Sequence, residues 1–255
     1  MNDHANLHPG ISAAEWSIRG ELAAFYQLLD HFGMTDLIDT HISVRVPGQK
    51  DQFLINRYGL LFSEITASSL VKINIRGEII DPRKDIGDIN QAGFNIHAAV
   101  HGARHDAHCV VHTHTDAGIA VSAQEQGLLP ISQHALKYYR RLSYHDYEGI
   151  ALDPEERPRL VRDLGDNKAM VLRNHGLLAL GSSVAEAFNQ IYFLERACQV
   201  QVKALAGGAT LRNPSPEVCE LTARQCEDEI ENQLHELAWQ AAKRLIDTQQ
   251  ADYAC

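Results

Sequence analysis

The chain has 255 residues, 45% hydrophobic and 22% charged, the make-up of a globular protein long enough to bury a large core. Its 33 acidic residues outnumber 23 basic ones for a net charge of -10, and no Lys/Arg cluster stands apart, which argues against a nucleic-acid partner. No stretch approaches the roughly 18 apolar residues of a membrane span, and Met1 to Gly10 has no basic region followed by an apolar one, so the sequence reads as cytoplasmic and unprocessed.

The first helix is announced by Ser12-Ala13-Ala14-Glu15, a capping-box pattern, and is expected to run to about His31, with Gly33 ending it. Leu22, Phe25, Tyr26, Leu28 and Leu29 recur at helical spacing and mark its core face. Ile42 to Val46 and Gln52 to Ile55 read as paired strands around the turn at Pro47-Gly48. Val71 to Ile75 and Glu78 to Ile80 flank Arg76-Gly77, a tight hairpin. A helix then starts near Asp88 and passes through Phe94, Ile96, His97 and Val100 toward His105, followed by a strand at Cys109 to His114.

From Ala117 to Asp166 the pattern is weak: a short helix near Asp116 to Gln124, a loop with Pro130 and some strand around Arg141 to Tyr144. Lys168 to Leu172 and Leu177 to Leu180 read as strands joined by Arg173-Asn174-His175-Gly176, which places His175 in a turn. A second capping box, Ser183-Val184-Ala185-Glu186, opens a helix that continues to about Leu205, where Gly207-Gly208 stops it. The last helix begins at Ser215-Pro216-Glu217 and runs to about Ile246, with Val218, Leu221, Ile230, Leu234 and Leu237 read mainly as core contacts. Helices and short strands mix along the whole length, so residues 1–255 are expected to form a single α/β domain around a mixed sheet. Cysteines 109, 198, 219, 226 and 255 follow no metal or redox spacing and read as reduced thiols.

His112-Thr113-His114 is the sharpest local feature, because residues i and i+2 of a strand point to one face and can offer two imidazoles to one ion. Alone it is weak, since a chain with 14 histidines holds about 0.8 such pairs by chance. His175 adds a third imidazole in a turn, followed by a glycine that lets the backbone approach a site. Three neutral imidazoles with an open position are the donor set of a catalytic metal ion. His97, His101 and His105 recur every four residues and offer a second metal-binding face or an exposed stripe. Tyr144 to Gly149 gathers acid/base side chains, of which His145, Tyr147 and Glu148 are candidate proton donors or acceptors.

The segments Cys109 to Thr115 and Arg173 to Gly176 resemble the paired metal-binding segments of the class II aldolase/adducin family. Gly59 to Ile73 and Phe94 to Val100 are similar to its first loop and strand and its next helix, and the likeness spans about residues 17–206, with a C-terminal helix at about 216–246. The resemblance implies a three-layer αβα fold with a central mixed, largely antiparallel sheet, a homo-oligomer, tetrameric by that likeness, and a divalent metal on His112, His114 and His175. The metal is expected to be zinc, with iron, manganese or nickel as alternatives.

Two departures bear on function. The family's aldolases carry a catalytic Glu three residues before the helix Phe, where this chain has Gln91 before Phe94. Their phosphate-binding Gly-Asn-x-Ser is replaced by Thr40-His41-Ile42-Ser43, which leaves Ser43 as the substrate-binding candidate. Asp88 to Gln91 also reads as a capping box, with Gln91 reaching back to the cap. The resulting expectation is a metal-dependent lyase that acts on a small hydroxy- or keto-carbonyl compound through a metal-stabilised enolate. A non-haem metal oxygenase or decarboxylase and a non-catalytic adducin-like scaffold are the alternatives.

Overall fold

The computed structural model describes residues 10–83, 85–150, 153–231, 233–247 and 253–255. Helix α1 (Ala13–His31) is followed by β1 (His41–Arg45), β2 (Gln52–Ile55), β3 (Val71–Asn74), α2 (Gln91–Ala103), β4 (Cys109–Thr113), α3 (Asp116–Ser122), α4 (Gln133–Leu136) and β5 (Ser143–His145). Then come α5 (Arg157–Leu164), β6 (Ala169–Leu172), β7 (Gly176–Gly181), α6 (Val184–Leu205), α7 (Pro216–Glu231) and α8 (Leu234–Asp247). The strands form one sheet in the order β3-β2-β1-β4-β7-β6-β5, antiparallel except for the β5–β6 pair. The expected mixed, largely antiparallel sheet of an αβα fold is thus present.

Alternation along the strands divides the core into two faces. Ile42, Val44, Cys109, Val111, Val171, Leu177 and Ala179 meet α1, α6 and α8, where Phe25, Phe188 and Trp239 pack with ring centroids 5.3–6.0 Å apart. Val110, Met170, Leu172, Leu178 and Leu180 meet α2 and α5 on the other face, and Phe53, Ile55, Val71 and Ile73 extend that face beneath Phe94. Both faces of the central strands are buried, so β4, β6 and β7 read as nearly continuous apolar runs.

Capping follows the sequence in part. Ser12 and Ser183 each accept from the third helical N–H, at 3.1 Å. The paired glutamates do not reach back to their caps: Glu15 is held by Arg19 and Lys72, and Glu186 accepts from Ser182 N–H and pairs with Lys168. At Glu15 two buried cations take the carboxylate from the cap, whereas Glu186 turns to the N–H one residue before its cap and to Lys168. For α2 the N-cap is Asn90, not Asp88, and His105 lies beyond the helix end.

Other expectations change with tertiary context. The return of the Arg76-Gly77 hairpin makes a single bridge, Ile73 to Ile79, rather than a strand. The weak central stretch contains α4 and α5, neither of which its polar pattern announced. The expected single C-terminal helix is two, because Gln233 takes a left-handed φ of 60° and α8 turns back onto α1 and α6. Val218, Leu221, Leu234 and Leu237 are consequently exposed, while Cys219, Ala223, Trp239, Ala242 and Ile246 are buried. The five cysteines are free.

Candidate metal centre

His112 lies on the α2/α5 face of β4, directly opposite Leu178 of β7, and His114 follows just past the strand end. The residue after it, Thr115, caps α3 and donates its hydroxyl to the buried carboxylate of Glu195, which fixes the loop. His175 sits in the β6–β7 turn, closed by its N–H to Leu172 O at 3.1 Å. Asn174 takes the left-handed φ of 55° that this turn requires, a conformation Asn tolerates. At Gly176 a Cβ would lie 2.3 Å from Thr113 O, so only glycine lets the turn approach β4 this closely.

The three side chains converge through Nε2. The separations are 2.8 Å for His112–His114, 3.2 Å for His112–His175 and 2.9 Å for His114–His175. Nδ1 of His112 donates to Leu177 O at 2.9 Å, and Nδ1 of His114 donates to Asp36 Oδ2 at 3.0 Å. With those protons on Nδ1, the two Nε2 atoms 2.8 Å apart hold facing lone pairs with no hydrogen between them. A cation resolves that repulsion: a tetrahedral ion with bonds of about 2.0–2.1 Å holds its nitrogens about 3.3 Å apart. The donor set therefore fits a divalent metal, and it is the group with metal-ligand spacing among the described residues.

Electrostatics agree with neutral, ligating imidazoles. Burial, and after it the charges of His175, His114 and His41, hold His112 well below the ordinary imidazole range. Burial and the charge of His114 lower His175 to about 4. Neutral rings need release no proton when a metal binds at physiological pH.

The class II aldolase and adducin N-terminal domain pattern matches residues 20–202. The chain belongs to the class II aldolase and adducin family. It is 49% identical over 249 residues to a candidate class 2 aldolase of Caulobacter vibrioides, covering 98% of this chain and 96% of that one. It is also 51% identical over 190 residues to rat alpha-adducin, but these cover 74% of this chain and 26% of the adducin. Its fold matches a crystal structure of an aldolase II superfamily protein from Pseudomonas syringae with a TM-score of 0.92 and 49% identity, over 96% of this chain and 98% of that chain. An L-fuculose 1-phosphate aldolase from Glaciozyma antarctica, 24% identical, shares the fold at a TM-score of 0.82 over 96% of each chain.

The other sequence-derived residues of this family member are placed unequally. Tyr147 is half exposed, with its ring centroid 6.2 Å from that of His175. His145 is buried, and both its ring nitrogens face carboxylates, Asp163 at 2.8 Å and Glu156 at 3.3 Å. Glu148 is tied to Arg159, whose guanidinium holds its carboxyl below the ordinary range. Gln91 is the first residue of α2 and does not complete a capping box; its amide donates to Gly77 O at 3.2 Å. A cavity of about 810 Å³ beneath α7 is lined by Lys137, Arg141, Lys168 and Glu227 and by no triad member.

Ser43 is fully buried and lies behind the site, not in it. Its hydroxyl is 2.6 Å from His97 Nδ1 and 2.7 Å from His101 Nε2, so both of those histidines are core residues rather than an exposed stripe or a second metal face. His41, the cross-strand partner of His112, joins them: its Nδ1 is 2.8 Å from His97 Nε2. Asp36 and His41 escaped sequence reasoning. Asp36 lies 78 residues from its histidine, and the spacing of His41 to α2 is set only by tertiary packing. One local signal marks the place: Thr40, β-branched, holds a left-handed φ of 69° with its buried hydroxyl unpaired.

Proposed function

We propose that this protein is a divalent-metal-dependent lyase of aldolase type that acts on a small hydroxy- or keto-carbonyl compound. The observation that carries the reading is the convergence of three Nε2 lone pairs, two of them oriented by Nδ1 hydrogen bonds, beside the exposed phenol of Tyr147. When bound, the ion polarises a carbonyl and stabilises the negative charge that develops on its oxygen; three imidazoles suit zinc, with iron, manganese or nickel as alternatives. His112, His114 and His175 would hold that ion. Tyr147, whose ring lies beside that of His175, would exchange a proton with a ligand bound there. The ion pairs of His145 and Glu148 leave them less free to do so. Gln91 carries an amide and cannot take a proton.

The near-full-length similarity to the Caulobacter protein supports an enzyme. The exposed Val218, Leu221, Leu234 and Leu237 support self-association, in line with the family tetramer. No helix among the described residues is long and apolar enough to cross a membrane, which accords with a cytoplasmic enzyme. Similarity to alpha-adducin favours a second reading, a non-catalytic binding domain that needs no ion.

Elemental analysis separates the two. About one ion per chain is expected in wild type and little in His175→Ala; a metal-free wild type that gains no ion on zinc addition would sink the enzyme reading. Retro-aldol turnover of small hydroxy-carbonyls should then require the ion and proceed without oxygen. Oxygen consumption coupled to turnover would favour the oxygenase instead.

A further inference from the structure

The cavity beneath α7 lies on the α1/α6/α8 side of the sheet, walled by the end of α4, the start of β6 and the first turns of α6, whereas the His112 ring is on the other side. Its volume of about 810 Å³ is in the range of small-molecule sites. A recess of about 210 Å³ adjoins it, sharing Lys137, Cys226 and Ile230. One wall of the recess is His235, a buried ring whose Nδ1 has no partner among the described residues. Buried polar atoms are normally paired, so an orphan on a cavity wall points to a ligand that completes it.

Lys137, at the C-terminal end of α4, stands on the wall common to both spaces. Its setting differs from that of the other described lysines. Lys72, Lys168 and Lys243 pair with carboxylates at 2.5–2.8 Å, and Lys50 and Lys203 are exposed. Lys137 Nζ instead donates to the amide oxygen of Asn189 and lies 5.7 and 5.3 Å from the ring centroids of Tyr138 and Phe193, with no carboxylate partner among the described residues. The rings and the amide return only part of the hydration that the ammonium gives up, so the neutral amine is favoured. Burial lowers Lys137 to about 8, against the opposing charges of Glu186 and Glu229. The neighbouring thiol is pushed the other way: burial and the charge of Glu229 raise Cys226 and keep its sulfur protonated. The amine is therefore the nucleophile of this cavity, and because the side chain is only partly buried it is open to a ligand there.

We propose that Lys137 is a second, covalent ligand site of this protein, which takes a small hydroxy-aldehyde or hydroxy-ketone as a reversible imine independently of the metal centre. The Nζ lone pair attacks the carbonyl carbon and forms the C–N bond, while the carbonyl π pair moves to oxygen. Both amine hydrogens then leave with that oxygen as water, and C=N remains; nothing is oxidised or reduced. Hydrolysis restores the free lysine. A hydroxyl on the ligand supplies the hydrogen-bond partner that His235 Nδ1 lacks.

Competition among the lysines of the full-length, chelator-treated protein tests this. Cyanoborohydride traps imines as stable amines, so peptide mass spectrometry after exposure to glycolaldehyde reads the labelling rate of each lysine. At pH 7.5 an amine titrating near 8 is about one-quarter neutral and an ordinary lysine about one part in a thousand. Lys137 should therefore be labelled roughly tenfold or more faster than Lys50 and Lys203, even with slower entry into the cavity. Its rate should level off above about pH 8.5, where those two still rise. Asn189→Asp, which sets a carboxylate beside the amine, should slow Lys137 about tenfold and leave Lys50 and Lys203 unchanged. Labelling of Lys137 no faster than that of the exposed lysines, or a rate unchanged by Asn189→Asp, would overturn the proposal; if that variant does not fold, the wild-type pH profile decides. Acetaldehyde, which lacks the hydroxyl, should show a smaller preference for Lys137, and an equal one would overturn the part given to His235.

Discussion

Asp36 and His114 face each other at the edge of the metal centre, with Oδ2 3.0 Å from Nδ1. The carboxylate orients the ring, keeps the Nδ1 proton in place and increases the basicity of Nε2. His112 has only a carbonyl in the same role, that of Leu177. A carboxylate partner of this kind is worth about 10- to 100-fold in metal affinity. Asp36→Ala should therefore weaken zinc binding by that factor, measured by chelator competition, with an unchanged circular dichroism spectrum. Wild-type affinity in the variant would show that the contact does not tune the site.

Gly93 is packed against the His41 ring. An added methyl at 1.8 Å from Nε2 must displace either the ring or the start of α2. Gly93→Ala is expected to destabilise by about 1–3 kcal/mol in urea unfolding, as overpacking does. It should also break the His41–His97 hydrogen bond, which ¹⁵N spectra would show. Gly102→Ala, where a Cβ meets nothing within 4 Å, is the control and should be neutral or slightly stabilising.

Acid should weaken the fold through His101. Burial, opposed by its bond to Ala107 O and reinforced by the charge of Arg45, lowers this imidazole to about 3. In the unfolded chain it titrates near 6.5. Between those values the unfolded state binds a proton that the folded state does not, so stability falls as pH drops from about 6.5 toward 3. The slope is at most about 1.4 kcal/mol per pH unit for this one group. Wild type should lose stability between pH 7.5 and 5.5, and His101→Asn should lose about 1 kcal/mol less over the same interval. Identical pH dependence in the two proteins would assign the acid sensitivity elsewhere.

The C-terminal helices offer a paired comparison. Trp239 is enclosed by Phe25 and Phe188 and donates Nε1–H to Glu21. Trp239→Ala should cost about 3–5 kcal/mol. Leu237, two residues earlier on the same helix, is 71% exposed, and Leu237→Ala should leave the monomer within about 0.5 kcal/mol of wild type. A large loss for Leu237→Ala in a concentration-dependent melt would place it in a subunit contact.

Much of this protein could be read from its residues alone, because the deciding signals were local. Period-2 alternation put His112 and His114 within reach of one ion, and Asn174-His175-Gly176 announced a turn. Ser12, Ser183 and the glycines at 33 and 207–208 marked helix ends through capping groups only a few residues away. Resemblance supplied the layer order that periodicity cannot.

What only tertiary structure decided involves partners distant in sequence. The carboxylate of Asp36 reaches His114 across 78 residues, and Lys72 takes Glu15 from its cap across 57. Ser43 and Gln91, both read as site residues, are claimed by His97 and His101 in one case and by Gly77 in the other, because a hydroxyl or amide bonds to whichever group packing brings near. His101 Nδ1 meets the carbonyl of Ala107 at 2.9 Å, an alignment set by the way helix and sheet pack together. Local pattern thus specified which side chains share a face. Packing specified which atoms meet, since hydrogen-bond partnership depends on ångström-scale distances that residue order does not encode.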